Sequence, residues 1–386
     1  MSHPFDTLQQ EQLRHADSLK WTTHPADILP LWIADMDFPP SEALLAALKA
    51  RLDRGIGYYH AADPALRAQL QAVLAGRGMQ DVPADGILFL PSVVPGLYAA
   101  VAALTQPGED VLSVLPIYPP FHQAILEQGR HIQGVALREG PERWELDWEA
   151  LEAAVTPRTR LLMLCHPHNP TGRVWTSEEL GRLREFAVRH DLYVCSDELH
   201  ADLIYAGSPA FESFAADPAV AGRTVTLIGP CKTYNVAGLS IGALVSHDPA
   251  LAQRVRSVAG GLMGHPSALS VTSWQVALRE GGEWLAETLA YLQANRDYVA
   301  DFVAARLPGA QMHSPEATYL AWINLGPERK QAGEWLLREA KVALNAGPLF
   351  MPANQAPEWD SFVRLNFATS RSILTEALER VERALR

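Results

Sequence analysis

Three apolar runs of the chain end in polar residues that could work on one substrate. Residues 160–165 lead into His166-Pro167-His168-Asn169-Pro170-Thr171-Gly172, and residues 192–195 into Ser196-Asp197-Glu198-Leu199-His200. Residues 224–229 lead into Pro230-Cys231-Lys232-Thr233. If the runs are neighbouring parallel strands, an amide, a carboxylate and an amine arrive at one sheet edge. A lysine just past a buried strand suits an imine-forming nucleophile, because partial desolvation frees its amine. A nearby carboxylate keeps a heteroaromatic nitrogen protonated, and an amide can bond a ring oxygen. These are the demands of pyridoxal 5′-phosphate, whose pyridinium is an electron sink and whose aldehyde a lysine holds.

The elements that must position these groups alternate along the chain. Strand-like runs fall at 110–115, 160–166, 192–196, 224–229 and 241–246. Between two of them, residues 177–190 form a helix, with Thr176 and Glu179 at capping-box spacing. Ser41 caps a helix carrying Leu44, Leu45, Leu48 and Leu52 on one face, with Gly55 beyond its end. Asp63-Pro64 opens another, with Leu66, Leu70, Val73 and Leu74 inward. Short apolar strands separated by helices specify an α/β fold: a three-layer α/β/α large domain with a mostly parallel sheet and a smaller α+β lobe. Ligands in such sheets sit beyond the carboxyl ends of the strands. A helical pattern from Trp284 to about Leu307 carries the chain into the lobe, which holds strands near 318–324 and 362–367 and a closing helix from Ser372. The large domain is placed at 42–286, and the small one at 1–41 and 287–386.

Composition removes other function classes. Lys and Arg number 32 against 44 Asp and Glu, a net charge of −12, which speaks against a nucleic-acid groove or an anionic lipid surface. Three cysteines are too sparse for a disulfide scaffold and fit a reducing, cytoplasmic setting. Residues 1–20 hold no apolar signal segment, and no run reaches the roughly 18 apolar residues of a spanning helix. Membrane and nucleic-acid partners are therefore not expected.

The order and spacing of Asn169-Pro170-Thr171-Gly172, Ser196-Asp197-Glu198 and Lys232 resemble the signature of the fold-type-I pyridoxal-phosphate enzymes, the class I/II aminotransferases. More narrowly, Trp32 to Phe38 (WIADMDF), Gly57-Tyr58, Pro167 to Trp175 and Lys232 to Leu239 look like the cystathionine β-lyase, or cysteine-S-conjugate β-lyase, branch. The matches run from Leu31 to Arg371, nearly the whole chain.

The resemblance implies roles. Lys232 forms the imine and acts as general base at the substrate Cα; an exposed turn lysine is the bland alternative. Asp197 pairs with the pyridine nitrogen, where its plain alternative is a helix N-cap. Asn169 bonds the phenolic oxygen, and a turn asparagine before proline would look the same. Tyr118, in Pro116-Ile117-Tyr118-Pro119-Pro120-Phe121, stacks on the cofactor ring or belongs to ordinary core packing. His200 stands where many relatives carry tyrosine; it supports Asp197 or the phenolic oxygen, or is a satisfied semi-buried histidine. Ser92-Val93-Val94 opens a helix whose N–H groups would cradle the phosphate. Many relatives add an arginine eight residues after the lysine and a serine before it; here those positions are Ser240 and Cys231. Tyr58 resembles the tyrosine that reaches the neighbouring subunit's phosphate, with Tyr59 competing, which implies a homodimer with shared sites. Arg371 matches the arginine that grips the substrate α-carboxylate, and Arg364 is assigned to a structural ion pair. Asp35 and Asp37 belong to a loop or interface, not a metal site, for lack of a His/Cys cluster.

The implied reaction is α,β-elimination of a thiol from L-cystathionine or a related cysteine S-conjugate, leaving pyruvate and ammonia. An aminotransferase on the same scaffold is the alternative. A pyridoxal-phosphate-binding regulator is disfavoured by the retained lysine and the lack of a preceding DNA-binding helix-turn-helix.

Overall fold

Asp110–Leu115 and Thr159–Cys165 are buried on both faces, Arg160 apart, because helices cover both sides of the sheet they enter, so neither shows polar alternation. A computed structural model describes residues 3–57, 64–261 and 263–386. Its main sheet has seven strands: β1 (Ile87–Leu90), β2 (Asp110–Leu115), β3 (His131–Ala136), β4 (Thr159–Cys165), β5 (Tyr193–Asp197), β6 (Thr224–Ile228) and β7 (Gly242–Val245). Their spatial order is β1-β7-β6-β5-β4-β2-β3. Strands β3, β2, β4, β5 and β6 pair in parallel, whereas β7 runs antiparallel to both β6 and β1. Two reversals leave β1 parallel to β6, so six strands present their carboxyl ends to one edge.

The expected strands and helices form, with shifts of a residue or two at their ends. Beyond them, β1 and β3 complete the sheet; neither reads as a strand in sequence, since Gly134 interrupts one and the other is only four residues long. Helix α1 (Glu42–Asp53) is capped by Ser41 Oγ, which accepts from Leu44 N at 3.3 Å. Of its leucine row only Leu44 is fully buried, while Leu45 and Leu52 face outward. Helix α2 (Pro64–Gly76) buries Leu66, Leu70 and Leu74; its proposed cap Asp63 lies outside the described residues. Helix α3 (Val93–Leu104) packs along β5, β6 and β7. Helix α4 (Ser177–Arg189) has the complete capping box between Thr176 and Glu179.

A second core forms where both chain ends meet. The 25-residue helix α5 (Gly282–Arg306) leads into it. A three-stranded sheet follows, with β10 (Phe362–Asn366) between β8 (Leu320–Asn324) and β9 (Asn345–Ala346), and helix α6 (Arg371–Leu385) closes the chain. Phe5, Leu31, Ala34, Met36 and Phe38 pack there with Leu292, Val299, Leu320, Leu365 and Leu374. Segment 32–38 is thereby drawn across the carboxyl edge of the main sheet.

Candidate active site

Five of the six strands that reach the carboxyl edge deliver one group each. Ser92 follows β1 and caps α3, Tyr118 follows β2, Asn169 follows β4, Asp197 ends β5, and Lys232 lies four residues past β6. Register sets their alignment: Cys165 pairs with Asp197, and Asp197 with Leu227. Leu90 pairs with Gly242, and a Cβ on Gly242 would sit 3.4 Å from Val93 Cγ2, which brings the start of α3 to the same edge. Ser92 makes no side-chain cap bond, so its hydroxyl and the first amides of α3 are not used within the helix; Val93 is buried and Val94 half-buried.

The Lys232 amine donates to Ala34 O, which also accepts from the Tyr319 hydroxyl at 3.0 Å. Asp197 accepts from Leu199 N at 3.1 Å, and among the described residues no cationic side chain bonds it. Burial therefore pushes its carboxyl up to about 7, with the Glu198 charge adding to the rise; Leu199 N–H and Lys232 oppose it. Glu198 is itself pushed to about 7 by burial, although Phe214 N, Ser213 and Ser196 donate to it at 2.9 to 3.0 Å. His200 is held near 3, first by burial and then by Lys232 and Arg364, so its ring is neutral; its Nδ1 is buried without a partner. Tyr118 is half-buried against the main core, and burial raises its phenol.

Two arginine assignments change. Arg364 lies on β10, 2% exposed, and has no carboxylate partner among the described residues, so it is not in an ion pair. Its Nη1 donates to Asn169 Oδ1 at 3.0 Å and its Nη2 to Trp32 O at 2.9 Å, while Nε is buried and unpaired. Burial lowers this guanidinium to about 10. Arg371 instead opens α6. Its Nε donates to Asn295 Oδ1 at 2.9 Å, its backbone N–H to the Tyr291 hydroxyl, and its guanidinium lies 4.4 Å from the Tyr298 ring centroid. Among the described residues no hydrogen bond links these partners to Lys232, Asn169 or Asp197. The arginine that reaches Asn169 is Arg364.

These residues sit inside a chain-wide match. The model of the family described as "Aminotransferase class I and II" matches residues 26–381. The chain belongs to this family. Among its relatives, the cystathionine beta-lyase PatB of Bacillus subtilis (strain 168) is 34% identical over 389 residues, covering 98% of this chain and 99% of that protein. The solved structure of OvoB is 38% identical, with a TM-score of 0.91 and coverage of 96% of this chain and 97% of that one. Cystalysin from Treponema denticola, solved with pyridoxal 5′-phosphate, is 29% identical with a TM-score of 0.92, covering 100% and 99% of the two chains.

For an aminotransferase class I and II protein, several placements add to the reading of its sequence. Tyr58 and Tyr59 lie outside the described residues. Cys165 and Cys195 are buried and Cys231 half-buried, all as free thiols. Among the described residues no group of His, Cys, Asp or Glu could hold a metal, and no helix is long and apolar enough to cross a membrane. Asp37 forms a buried ion pair with Lys20 at 3.0 Å and accepts from Trp21 Nε1 at 2.7 Å. Sequence reasoning missed Tyr319, Asn366 and the right use of Arg364. The available signal was an arginine and an asparagine set two apart inside an otherwise apolar strand.

Proposed function

We propose that this protein is a pyridoxal-phosphate-dependent C–S β-lyase acting on L-cystathionine or a related cysteine S-conjugate. The carrying observation is Asp197, a buried carboxyl with no cationic partner, set between Asn169 and Lys232 on adjacent strand ends. Together with the orphaned Nδ1 of His200 and the free hydroxyl of Ser92, this donor set fits pyridoxal 5′-phosphate. The relatives named cystathionine beta-lyase support elimination over transamination.

When bound, the cofactor supplies an electron sink for negative charge at the substrate Cα. The chain's residues do the rest. Lys232 holds the cofactor and takes the Cα proton once released. Asp197 keeps the ring nitrogen protonated and is relieved of its own burial penalty. Asn169 Oδ1 accepts from Arg364 Nη1, so its amide Nδ2 is left as the donor that would meet the ring oxygen. Tyr118 would cover a ring face, and the N–H groups of the Ser92-Val93-Val94 turn would hold the phosphate. Arg364, with an unused Nε and a fixed plane, holds the substrate carboxylate. The sulfur then departs as a thiolate, a far better leaving group than hydroxide.

A homodimer, with Tyr58 or Tyr59 completing the partner's phosphate site, and a cytoplasmic location belong to the same proposal. The test is incubation of the purified protein with L-cystathionine and no keto acid. Pyruvate, ammonia and free thiol should appear in equal amounts. Efficient transamination of a keto acid with no thiol from any S-conjugate would replace lyase by aminotransferase.

A further inference from the structure

Thr318 is buried and has φ +68°, in the left-handed region that a β-branched residue rarely enters. Such a conformation persists only where its surroundings over-determine it. Here the Thr318 N–H donates to Leu203 O at 2.9 Å, its carbonyl accepts from the Tyr205 hydroxyl, and its Oγ1 accepts from Leu320 N at 3.2 Å. Just before it, Glu316 N and Ala317 N donate to Gly172 O at 3.0 and 2.8 Å, in the turn that carries Asn169. Tyr319 follows directly and is 1% exposed. Its ring lies edge-on to His200 at 6.1 Å between centroids, and its carbonyl accepts from Phe367 N at 3.0 Å.

The backbone so fixed sets the Tyr319 hydroxyl on Ala34 O at 3.0 Å. Ala34 is the middle of a three-residue turn, closed by Asp35 N donating to Ile33 O at 2.9 Å. Asn366 Nδ2 fastens both flanking carbonyls, Ile33 O and Asp35 O, at 2.7 Å, and Arg364 holds Trp32 O at 2.9 Å. A carbonyl oxygen offers two lone pairs. On Ala34 O one is taken by Tyr319, whose phenol stays a donor because burial raises it well above its usual range. The other is taken by the Lys232 amine.

We propose that Ala34 O is the seat of the Lys232 amine whenever that amine is not covalently engaged, and that Tyr319 is the positioning residue that keeps the seat in place. The proposal rests on Lys232 being the residue that bonds the cofactor. The lysine stem is long and flexible, so a freed amine without a partner disperses over many rotamers. A neutral amine that donates one N–H to a carbonyl keeps its own lone pair. It is oriented, yet still able to take a proton or to attack a carbonyl carbon. The seat carries no net charge, so it does not hold the amine as an ammonium in the way a carboxylate would. Tyr319 acts through Ala34 O and through nothing else in the cleft.

The test reads attachment of the cofactor and needs no turnover. Apoprotein is mixed with pyridoxal 5′-phosphate, and the bond to Lys232 is followed by absorbance and by borohydride trapping. That bond forms as the amine nitrogen attacks the aldehyde carbon and the aldehyde oxygen leaves as water with the two amine protons. Tyr319→Phe keeps the ring against His200, and Ala34 O retains Lys232 as a donor, so the fold should survive; melting midpoints check it. Attachment should slow by about five- to tenfold, the worth of one buried hydrogen bond. Non-covalent affinity for the cofactor, compared between Lys232→Ala and Lys232→Ala/Tyr319→Phe, should agree within about twofold, because the hydroxyl works only through the amine. An unchanged attachment rate overturns the proposal. So does a loss of affinity in the double variant as large as the slowing, which would give Tyr319 a general role in the site. Trapping of the cofactor on another lysine would instead sink the assignment of Lys232, and the two failures are read from separate measurements.

Discussion

Asp197→Asn should stabilise the apoprotein while weakening the holoprotein. In the apoprotein the carboxyl is 6% exposed and its folded value is about 7 against 3.8 for the free group. A carboxyl raised on folding carries no penalty below its unfolded value. The cost grows as pH rises between the two values and is complete above the folded one. About three units correspond to roughly 4 kcal/mol of apoprotein stability missing at pH 8.5 and about none at pH 4. The asparagine retains an oxygen for Leu199 N–H, so the relief is not offset by a lost bond. With an unfolding entropy of about 2.1 cal/mol/K per residue, this raises the melting midpoint by about 5 °C at pH 8.5. The assay is a pair of apoprotein melts from pH 5 to 8.5, repeated with pyridoxal 5′-phosphate. The gap between variant and wild type should widen with pH, and added cofactor should stabilise the variant less. Equal apoprotein midpoints at pH 8.5, or a gap that does not change with pH, would refute the account of Asp197 as an uncompensated buried charge.

Borohydride reduction of the yellow holoprotein should place the pyridoxyl group on the Lys232 peptide, and Lys232→Ala should abolish that link and nearly all turnover; peptide mapping decides. Arg364→Lys should lower kcat/KM by roughly 10- to 100-fold with cofactor still bound, because an ammonium loses the planar double contact. Arg371→Lys should cost about 1–2 kcal/mol of stability through Asn295 and Tyr298, with kcat/KM near wild type. His166, His168 and His200 are each held near 3 by burial, so the stability of their neutral forms is present above pH 6.5 and lost as pH falls toward 3. Asp197 and Glu198 carry the opposite slope in the upper part of that window, leaving about one net proton and a loss of roughly 1.4 kcal/mol per pH unit in apoprotein unfolding between pH 6 and 5.

The carboxyl-edge half of the site was legible because its strands are apolar throughout and stop abruptly. Asn169, Asp197 and Lys232 all fall at or shortly after the ends of such runs, and their order and spacing together carried the reading. Tyr118 came from the resemblance, and Ser92 from the helix that it opens. The small-lobe half was not. On β10 every residue is buried, so period-two alternation carries no signal for where Arg364 points. Arg371 follows the same motif and has equal charge; only tertiary structure shows it held by Asn295. Asp35 and Ala34 lie in a segment with almost no secondary structure, whose shape is dictated by partners some 200 to 330 residues away. The outward Leu45 and Leu52 show a similar limit: a helical row of leucines reveals a face but not whether it is covered within one chain.

The fastening of segment 32–38 also ties the site to the order of synthesis. Ile33 O is bonded by Asn366, 333 residues later, so the strand bearing Asn366 and Arg364 is made long after the segment it holds. Until then the segment has no fastening and its apolar side chains lack their core partners. Five strand ends can already line up by then, but the backbone whose Ala34 O meets the Lys232 amine is not yet held. Synthesis of β10 is therefore the event that completes the site, and a nascent chain stalled before residue 362 should be a client for chaperones rather than a trap for cofactor.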